Sequence, residues 1–329
     1  MCCLFGVLDY SGAVNNNMDD LVNALAQHAT ERGMDSTGIA YNKDGVLKIY
    51  KKPLSAWEMV FEGLEKSVCV TGHTRHTTQG SETKNYNNHP FMGYCDNAKF
   101  ALAHNGILWN DKRLRTTYGI TPNKVETDSY IAVQLLEYFG AFNSQNIAKM
   151  CEEVFGSFAF SMVDIHDNLW LVKGDSPLSI IHLPKQKMYI YASTSNILFG
   201  AVSETVYAAD IVAKDFEIVP IASGDILCID KCGTIVRTAF DYDYGYNGYI
   251  YDWRTCGTDN KSANVTTIAT TSTTPTMDEY DKQYLRELKM VARTYGITDN
   301  EIDDLLADGW TLDDIEDYVY DCERYIKIG

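Results

Sequence analysis

The sequence predicts an α+β fold in which clusters of strands are separated by runs of helices. Segments with helical periodicity lie between strand-like segments but do not follow each strand in turn. Strict alternation of strand and helix would instead predict a parallel, doubly wound sheet. The chain has 329 residues, of which 45% are hydrophobic and 12% aromatic, so it can bury a large core. A small helical bundle is predicted in addition, near the end of the sequence.

The predicted elements of the larger part follow one another over the first 240 residues. A mostly apolar strand covers residues 2–10, and apolar positions at helical spacing predict a helix over residues 18–32. Further helices are predicted at residues 54–64, 127–139 and 143–154. Further strands are predicted after Gly38 and at residues 46–51, 68–71, 100–108, 155–163, 169–172, 179–183, 188–191, 226–229 and 235–236, and near Ile218.

The composition changes after about residue 240. Residues 266–276 are nearly all Thr and Ser, a low-complexity composition that cannot bury a core, so we place a linker over residues 241–276. Beyond it, capped amphipathic segments predict a three-helix module over residues 277–329, with a capping box formed by Thr298 and Glu301. We expect its acidic residues to form a solvated face, with docking to a partner as the alternative.

Charge and cysteine content exclude several classes of function. A formal net charge of −17 disfavours binding to nucleic acid through a basic face. The sequence has no polybasic run and no apolar stretch approaching ~20 residues, so no membrane association is predicted. Nine cysteines without a paired metal-ligand spacing, and no secretory leader, predict free thiols in a cytoplasmic protein with no bound metal. Because glycine-rich phosphate-binding motifs are missing, no cofactor is predicted.

The second residue is the first candidate for chemistry. Aminopeptidases generally remove an initiator Met that precedes a small side chain, and removal here would give Cys2 a free α-amine. That amine titrates near pH ~8 and a thiol near ~8.5, so one residue could supply both base and nucleophile. A cysteine in this position usually has no function, however, so other residues must support the interpretation.

Three further groups would complete a site that attacks an amide. The side chain of Asn105 and the backbone N–H of Gly106 could stabilise an oxyanion. Arg75 offers a planar guanidinium suited to a carboxylate, and Asp128 could hold an ammonium group. A substrate with an α-carboxylate, an α-amine and a side-chain amide is glutamine or asparagine. Each residue alone is more often structural, so their joint occurrence carries the hypothesis.

Six motifs follow in a family-like order. They cover residues 1–6 (MCCLFG), 32–39 (RGMDSTGI), 72–80 (GHTRHTTQG), 88–90 (NHP), 104–107 (HNGI) and 126–128 (ETD). With them, the first 240 residues or so resemble class II glutamine amidotransferases, which are N-terminal-nucleophile hydrolases with a cysteine nucleophile. The resemblance is strongest to the glutaminase domains of hexosamine-phosphate synthases and amidophosphoribosyltransferases. The chain departs from the family pattern at Cys3, where many members have Gly, at His76, where an aromatic residue is usual, and at Gln79, where hexosamine synthases have His.

The resemblance implies a four-layer αββα fold and a role for each candidate residue. It makes Cys2 the nucleophile and its α-amine the base, with Asn105 and Gly106 as the oxyanion hole. It implies binding of the glutamine α-carboxylate by Arg75 and of the α-amine by Asp128. The remaining implied substrate-binding residues are Thr78, Arg32 behind the site, and His89. Apart from the resemblance, we expect His73, His89 and His104 to be structural hydrogen-bond partners, and Cys3 to be a second thiol open to oxidation.

We therefore predict hydrolysis of L-glutamine to glutamate and ammonia through a γ-glutamyl thioester on Cys2. Residues 241–329 are too few and too polar for a synthase domain, so a separate ammonia-accepting enzyme is the predicted partner, docked partly through the helical module. Association of the chain with itself is left open. The alternatives are an N-terminal-nucleophile amidase acting on another amide, and a catalytically silent scaffold that binds a partner.

Overall fold

The computed structural model describes residues 2–242 and, farther along, residues 285, 288–289, 292–293, 297–307 and 315. The chain divides into two compact units, residues 1–251 and 252–329. Most of the linker predicted at residues 241–276, and most of the predicted three-helix module, lie outside the described residues.

The first unit contains two antiparallel sheets, and the first sheet has seven strands. These are β1 (Cys3–Asp9), β2 (Ser36–Lys43), β3 (Val46–Lys52), β4 (Cys69–Arg75), β9 (Ser179–Leu183), β10 (Met188–Ala192) and β11 (Glu217–Ile218). Their order across the sheet is β11-β9-β10-β1-β4-β2-β3. The strand that follows Cys2 is therefore central, between β4 and β10.

The second sheet has six strands. These are β5 (Phe91–Tyr94), β6 (Lys99–Leu108), β7 (Gly156–Asp164), β8 (Leu169–Lys173), β12 (Asp225–Ile229) and β13 (Ile235–Ala239). Their order is β13-β12-β8-β7-β6-β5, and neighbouring strands pair antiparallel in both sheets. The predicted α+β class, without a parallel sheet, is confirmed.

Helices cover the outer faces of the two sheets. They are α1 (Met18–His28), α2 (Asp111–Thr117), α3 (Tyr130–Phe139), α4 (Ser144–Glu153), α5 (Ser195–Ser203) and α6 (Ala208–Val212). Apolar residues of α1 and α5 share a core with the first sheet, and those of α3 and α4 share one with the second. A third core, between the sheets, completes the order helix, sheet, sheet, helix. Burial of these apolar faces supplies the main driving force for folding.

Buried hydrogen bonds connect the two sheets as well. The Thr71 hydroxyl on β4 lies 2.8 Å from the Ser161 hydroxyl on β7 and 2.7 Å from the Tyr191 hydroxyl on β10. The His73 Nε2 atom lies 2.9 Å from the His104 carbonyl oxygen on β6. Because an unpaired buried polar group is costly, these contacts favour one alignment of the sheets. They fix β4 relative to β6.

The helix predicted over residues 54–64 is wrong. Only a 3-10 turn, Ala56–Glu58, forms there. Side chains of α1 explain the difference: Asn23 Oδ1 accepts from the Phe61 N–H at 2.9 Å, and Asp19 accepts from the N–H groups of Gly63 and Leu64 at 2.9 and 2.8 Å. These bonds satisfy the backbone without a helix.

Other element boundaries also differ from the prediction. The strand predicted at residues 68–71 runs on to Arg75, so the motif at residues 72–80 begins inside β4. Helix α3 begins at Tyr130 rather than at residue 127, which leaves Asp128 in the preceding turn. Strand β5 and helices α2, α5 and α6 were not predicted, because they are short and lack a clear periodic pattern.

In the second unit, helix α7 (Asp299–Ala307) begins at the predicted capping box. The Thr298 N–H donates to Glu301 Oε2 at 2.7 Å, and the Glu301 N–H donates to Thr298 Oγ1 at 3.3 Å. Throughout the described residues, helices fall short of the length and apolar character required to cross a membrane. Every cysteine in these residues is a free thiol.

Candidate active site

Cys2 lies directly before β1, at the centre of the first sheet. Its thiol donates to the His76 carbonyl oxygen at 3.6 Å, and its own carbonyl oxygen accepts from Arg32 Nε at 3.0 Å. The Cys2 side chain is half-buried, whereas Cys3 is fully buried in the core beneath α1. Successive side chains of a strand point to opposite faces, so the second thiol is shielded. The expectation that Cys3 is open to oxidation is therefore wrong.

The Cys2 thiol is held in its protonated form. Burial raises its pKa, the positive charge of Arg75 opposes that rise, and the negative charge of Asp128 adds to it. Since the thiolate is the reactive form, attack by Cys2 requires a base to remove the proton.

Arg75 ends β4, and its side chain is buried. Nη1 donates to Asn88 Oδ1 at 2.8 Å, and Nη2 donates to the carbonyl oxygens of Gln79 and Gly80 at 2.5 and 3.1 Å. Burial lowers the pKa of the guanidinium, although an arginine stays charged at neutral pH. The three acceptors fix the plane of the guanidinium beside Cys2.

Asn105 and Gly106 lie on β6, in the second sheet. Asn105 is buried, and its Nδ2 donates to Ser193 Oγ at 3.4 Å. The same Ser193 oxygen accepts from the Leu4 N–H of β1 at 2.9 Å, so one hydroxyl connects Asn105 to the strand that follows Cys2. Gly106 has φ +134°, a conformation that favours glycine. The site is therefore assembled from both sheets.

Asp128 precedes α3 and is buried. Its Oδ2 accepts from the Leu108 N–H at 2.6 Å, which holds the carboxylate at the end of β6. The neighbouring Ser129 hydroxyl donates to Asp128 Oδ1 at 3.5 Å and lies 2.8 Å from His104 Nδ1. The carboxylate of Asp128 is therefore held at Leu108, two residues after Gly106 on β6.

Comparison with known proteins shows a similarity to glutamine amidotransferases. Residues 73–200 match the family model described as a glutamine amidotransferase domain. The chain is 30% identical over 190 residues to the isomerizing glutamine–fructose-6-phosphate aminotransferase of Streptococcus agalactiae. The aligned region covers 55% of this chain and 30% of that protein. It is 29% identical over 237 residues to the enzyme of the same name from Fusobacterium nucleatum. That alignment covers 69% of this chain and 37% of the other protein.

The chain contains a glutamine amidotransferase domain at residues 73–200. Its fold agrees with that of the Bacillus subtilis glutamine phosphoribosylpyrophosphate amidotransferase complexed with ADP and GMP, with a TM-score of 0.58 and 21% identity over 74% of this chain and 50% of the other. A structure described as the allosteric regulatory enzyme of purine biosynthesis gives a TM-score of 0.59 and 20% identity over the same shares. The chain spans about a third of the length of the curated relatives it matches.

Two candidate residues of the amidotransferase domain differ in how they are placed. Arg32 donates to the carbonyl oxygen of Cys2, behind the thiol. Thr78 is exposed in the loop after β4, and no hydrogen bond in the described residues joins it to Cys2 or Arg75. A contact between Thr78 and substrate therefore stays a prediction.

His89 is a packing residue rather than the expected hydrogen-bond partner. Its ring is buried 4.2 Å from the His73 ring and 4.4 Å from the Phe91 ring, between centroids. Within the described residues, both of its ring nitrogens lack a hydrogen-bond partner. His73 and His104 do make structural hydrogen bonds, to the His104 carbonyl oxygen and to Ser129 respectively. His89 thus packs directly after Asn88, which accepts a hydrogen bond from Arg75.

Sequence reasoning missed the residues that hold the site together. Ser193 gave no signal, since its contacts with Leu4 and Asn105 join residues far apart in the chain. At His76 and Gln79, where the chain departs from the family pattern, the backbone makes the contacts with the site. The His76 carbonyl oxygen accepts from the Cys2 thiol, and the Gln79 carbonyl oxygen accepts from Arg75. A change of side chain at these positions therefore leaves those contacts in place.

We expect the amidotransferase domain to lose stability as the pH falls below about 6.5, the usual pKa of histidine. Burial lowers the pKa of His73 to about 3 and also lowers the pKa values of His89 and His104. The unfolded chain therefore binds protons that the folded protein excludes. At pH 5, His73 alone should lower the free energy of unfolding by about 2 kcal/mol, and the other two histidines add to the loss.

Urea denaturation at a series of pH values measures this dependence. The variant His89→Phe keeps a ring between His73 and Phe91 but removes one titrating group, so its stability should fall less steeply between pH 7 and 5. Equal slopes for wild type and variant would contradict the interpretation.

Proposed function

We propose that the domain hydrolyses L-glutamine to glutamate and ammonia through a γ-glutamyl thioester on Cys2. The observation that carries the proposal is that a buried cation, Arg75, ends the strand that pairs with β1, while a buried anion, Asp128, is bonded to the end of β6, the strand that contains Asn105. A free amino acid presents the complementary pair of charges. Amides without an α-carboxylate and an α-amine would bring neither charge an oppositely charged group.

The proposed reaction begins with proton transfer from the Cys2 thiol to its own α-amine, which removal of Met1 would free. The sulfur attacks the side-chain amide carbon of glutamine, and Asn105 Nδ2 with the Gly106 N–H stabilises the oxyanion. The C–N bond then breaks, and ammonia leaves with the proton returned by the α-ammonium group. Water attacks the thioester by the same route, releasing glutamate and restoring the thiol.

We propose that substrate orientation depends on Arg75 for the α-carboxylate and on Asp128 for the α-amine. Thr78 would approach the carboxylate from the exposed loop, Arg32 would hold the Cys2 backbone, and His89 would act from below by packing. The buried, hydrogen-bonded states of Arg75 and Asp128 support these roles, because a fixed group loses little entropy on binding.

We further propose that ammonia passes to a separate acceptor enzyme in the cytoplasm. The relatives named above are aminotransferases and amidotransferases. We infer three segments: the glutaminase domain at residues 1–240, a linker at 241–276, and a helical module at 277–329 that docks the acceptor. The composition of the linker and the capping box at Thr298 support this division. Crosslinking in cells should capture an acceptor with the full chain, but not with a chain that ends at residue 242.

Intact-mass measurement with a diazo-ketone analogue of glutamine tests the proposed chemistry. We expect loss of the Met1 mass and a single adduct, which peptide mapping places on Cys2. A diazo ketone of equal length without the α-amine and α-carboxylate is the control, and it should label Cys2 much more slowly. Equal rates would favour an amidase with another substrate, and an adduct on a different cysteine would contradict the proposal.

A further inference from the structure

Lys51 connects strand β3 to the loop that contains Asn88 and Pro90. Its ammonium group donates to the carbonyl oxygens of Asn88 and Pro90, the second at 2.8 Å, and so reaches both sides of His89. The ammonium also lies 4.9 Å from the centre of the Phe91 ring. A cation over an aromatic face is a favourable arrangement, and it further restrains the side chain.

Asn88, which Lys51 holds, is the side-chain acceptor among the three groups that fix Arg75. Asn88 Oδ1 accepts from Arg75 Nη1 at 2.8 Å, and Asn88 Nδ2 donates to the Glu82 carbonyl oxygen at 2.8 Å. The Lys51 carbonyl oxygen in turn accepts from Asn85 Nδ2 at 2.9 Å. Lys51 therefore anchors this loop through both its side chain and its backbone.

We propose that Lys51 is a positioning residue. It fixes the place of Arg75 and adds a positive charge near it, and both effects favour binding of the substrate carboxylate. The inference rests on the proposed function, because it assigns Arg75 to the α-carboxylate of glutamine. Lys51 acts through Asn88 and through its charge, without itself touching the substrate.

The charges around Lys51 give the proposal a pH signature. Burial, followed by repulsion from Arg75 and Lys124, lowers the pKa of Lys51 to about 7. The other titratable groups facing it, His73 and His89, are neutral at that pH because burial lowers their pKa values. A bound carboxylate would favour the protonated Lys51, so glutamine should bind more tightly below pH 7 than above it.

Steady-state kinetics of Lys51→Met, Lys51→Arg and the matched control Lys48→Met test the proposal. Lys48 lies on the same strand with an exposed side chain. We expect Lys51→Met to raise the KM for glutamine about 10-fold, because Asn88 would no longer hold Arg75 in place, with kcat within about 3-fold. Lys51→Arg should recover most of the affinity, and Lys48→Met should match the wild type.

The pH profile separates positioning from a general loss of stability. The wild-type KM should rise as the pH increases through about 7, and this inflection should be missing in Lys51→Met. If the wild type is active but Lys51→Met has an unchanged KM and an unchanged inflection, the role proposed for Lys51 is overturned. The proposed function of the domain would still stand.

A crystal structure of Lys51→Met gives a readout that does not depend on turnover. We expect the contact between Asn88 Oδ1 and Arg75 Nη1 to be lost, and its retention at 2.8 Å would overturn the proposal. A wild-type protein that neither binds nor hydrolyses glutamine would overturn the proposed function instead, and with it the carboxylate-binding role assigned to Lys51.

Discussion

The variant Cys2→Ser is expected to hydrolyse glutamine at least about 1,000-fold more slowly than the wild type. A serine hydroxyl is a far weaker acid than a thiol, so the α-amine would deprotonate it much less readily. The oxygen would still be half-buried beside Arg75 and Asp128, which preserves substrate binding. We therefore expect the loss in kcat, with the KM little changed. Ammonia release under steady-state conditions measures both.

Two controls show whether the loss is specific to this thiol. Cys232 is an exposed cysteine in the turn between β12 and β13, and Cys232→Ser should leave turnover within about 2-fold of the wild type. Cys3→Ala removes the neighbouring thiol from the core. It should lower the free energy of unfolding and leave kcat nearly unchanged. Undiminished hydrolysis by Cys2→Ser would end the case for a covalent mechanism at this residue.

The variant Gly106→Ala is expected to lower the free energy of unfolding by about 4 kcal/mol. A Cβ at this position would lie 2.0 Å from the Ser157 carbonyl oxygen, a backbone atom of β7 that cannot turn aside. The φ of +134° adds conformational strain for alanine. Relief of the contact requires a shift of β6 or β7, which would also move the Gly106 N–H away from a developing oxyanion.

Gly12→Ala is the matched control for backbone strain. Gly12 has φ +72°, but no atom lies within 4 Å of the position its Cβ would occupy. Its substitution should therefore cost only about 1 kcal/mol. If denaturant unfolding gave the two variants equal losses, the contact with Ser157 would not limit residue 106. If the folded fraction of Gly106→Ala turned over glutamine at the wild-type rate, its N–H would not serve the oxyanion.

Much of the fold and of the candidate site could be predicted from the sequence because the signals are local. The apolar run after Cys2 and the apolar residues of β6 mark strands, and the motifs that contain Arg75 and Asp128 lie at the ends of elements. Thr298 and Glu301 likewise form their capping box within four residues of each other. In each case the pattern and the structure depend on the same few neighbours.

What could not be predicted depends on contacts between distant residues. The segment before Leu64 forms no helix because Asp19 and Asn23 satisfy its N–H groups from another element. Lys51 is one of several lysines in a short basic stretch, and only the folding of the Asn88 loop onto β3 distinguishes it. A single sequence carries no record of such pairings.

The division of the site between the two sheets has a mechanical consequence. The proposed nucleophile, Cys2, precedes a strand of one sheet, while Asn105 lies in the other, and Ser193 spans the gap between them. A small sliding displacement of one sheet over the other would change the distance of attack directly. Substitutions in the layer between the sheets, such as Tyr191→Phe, could thus slow turnover from beyond the range of any substrate contact.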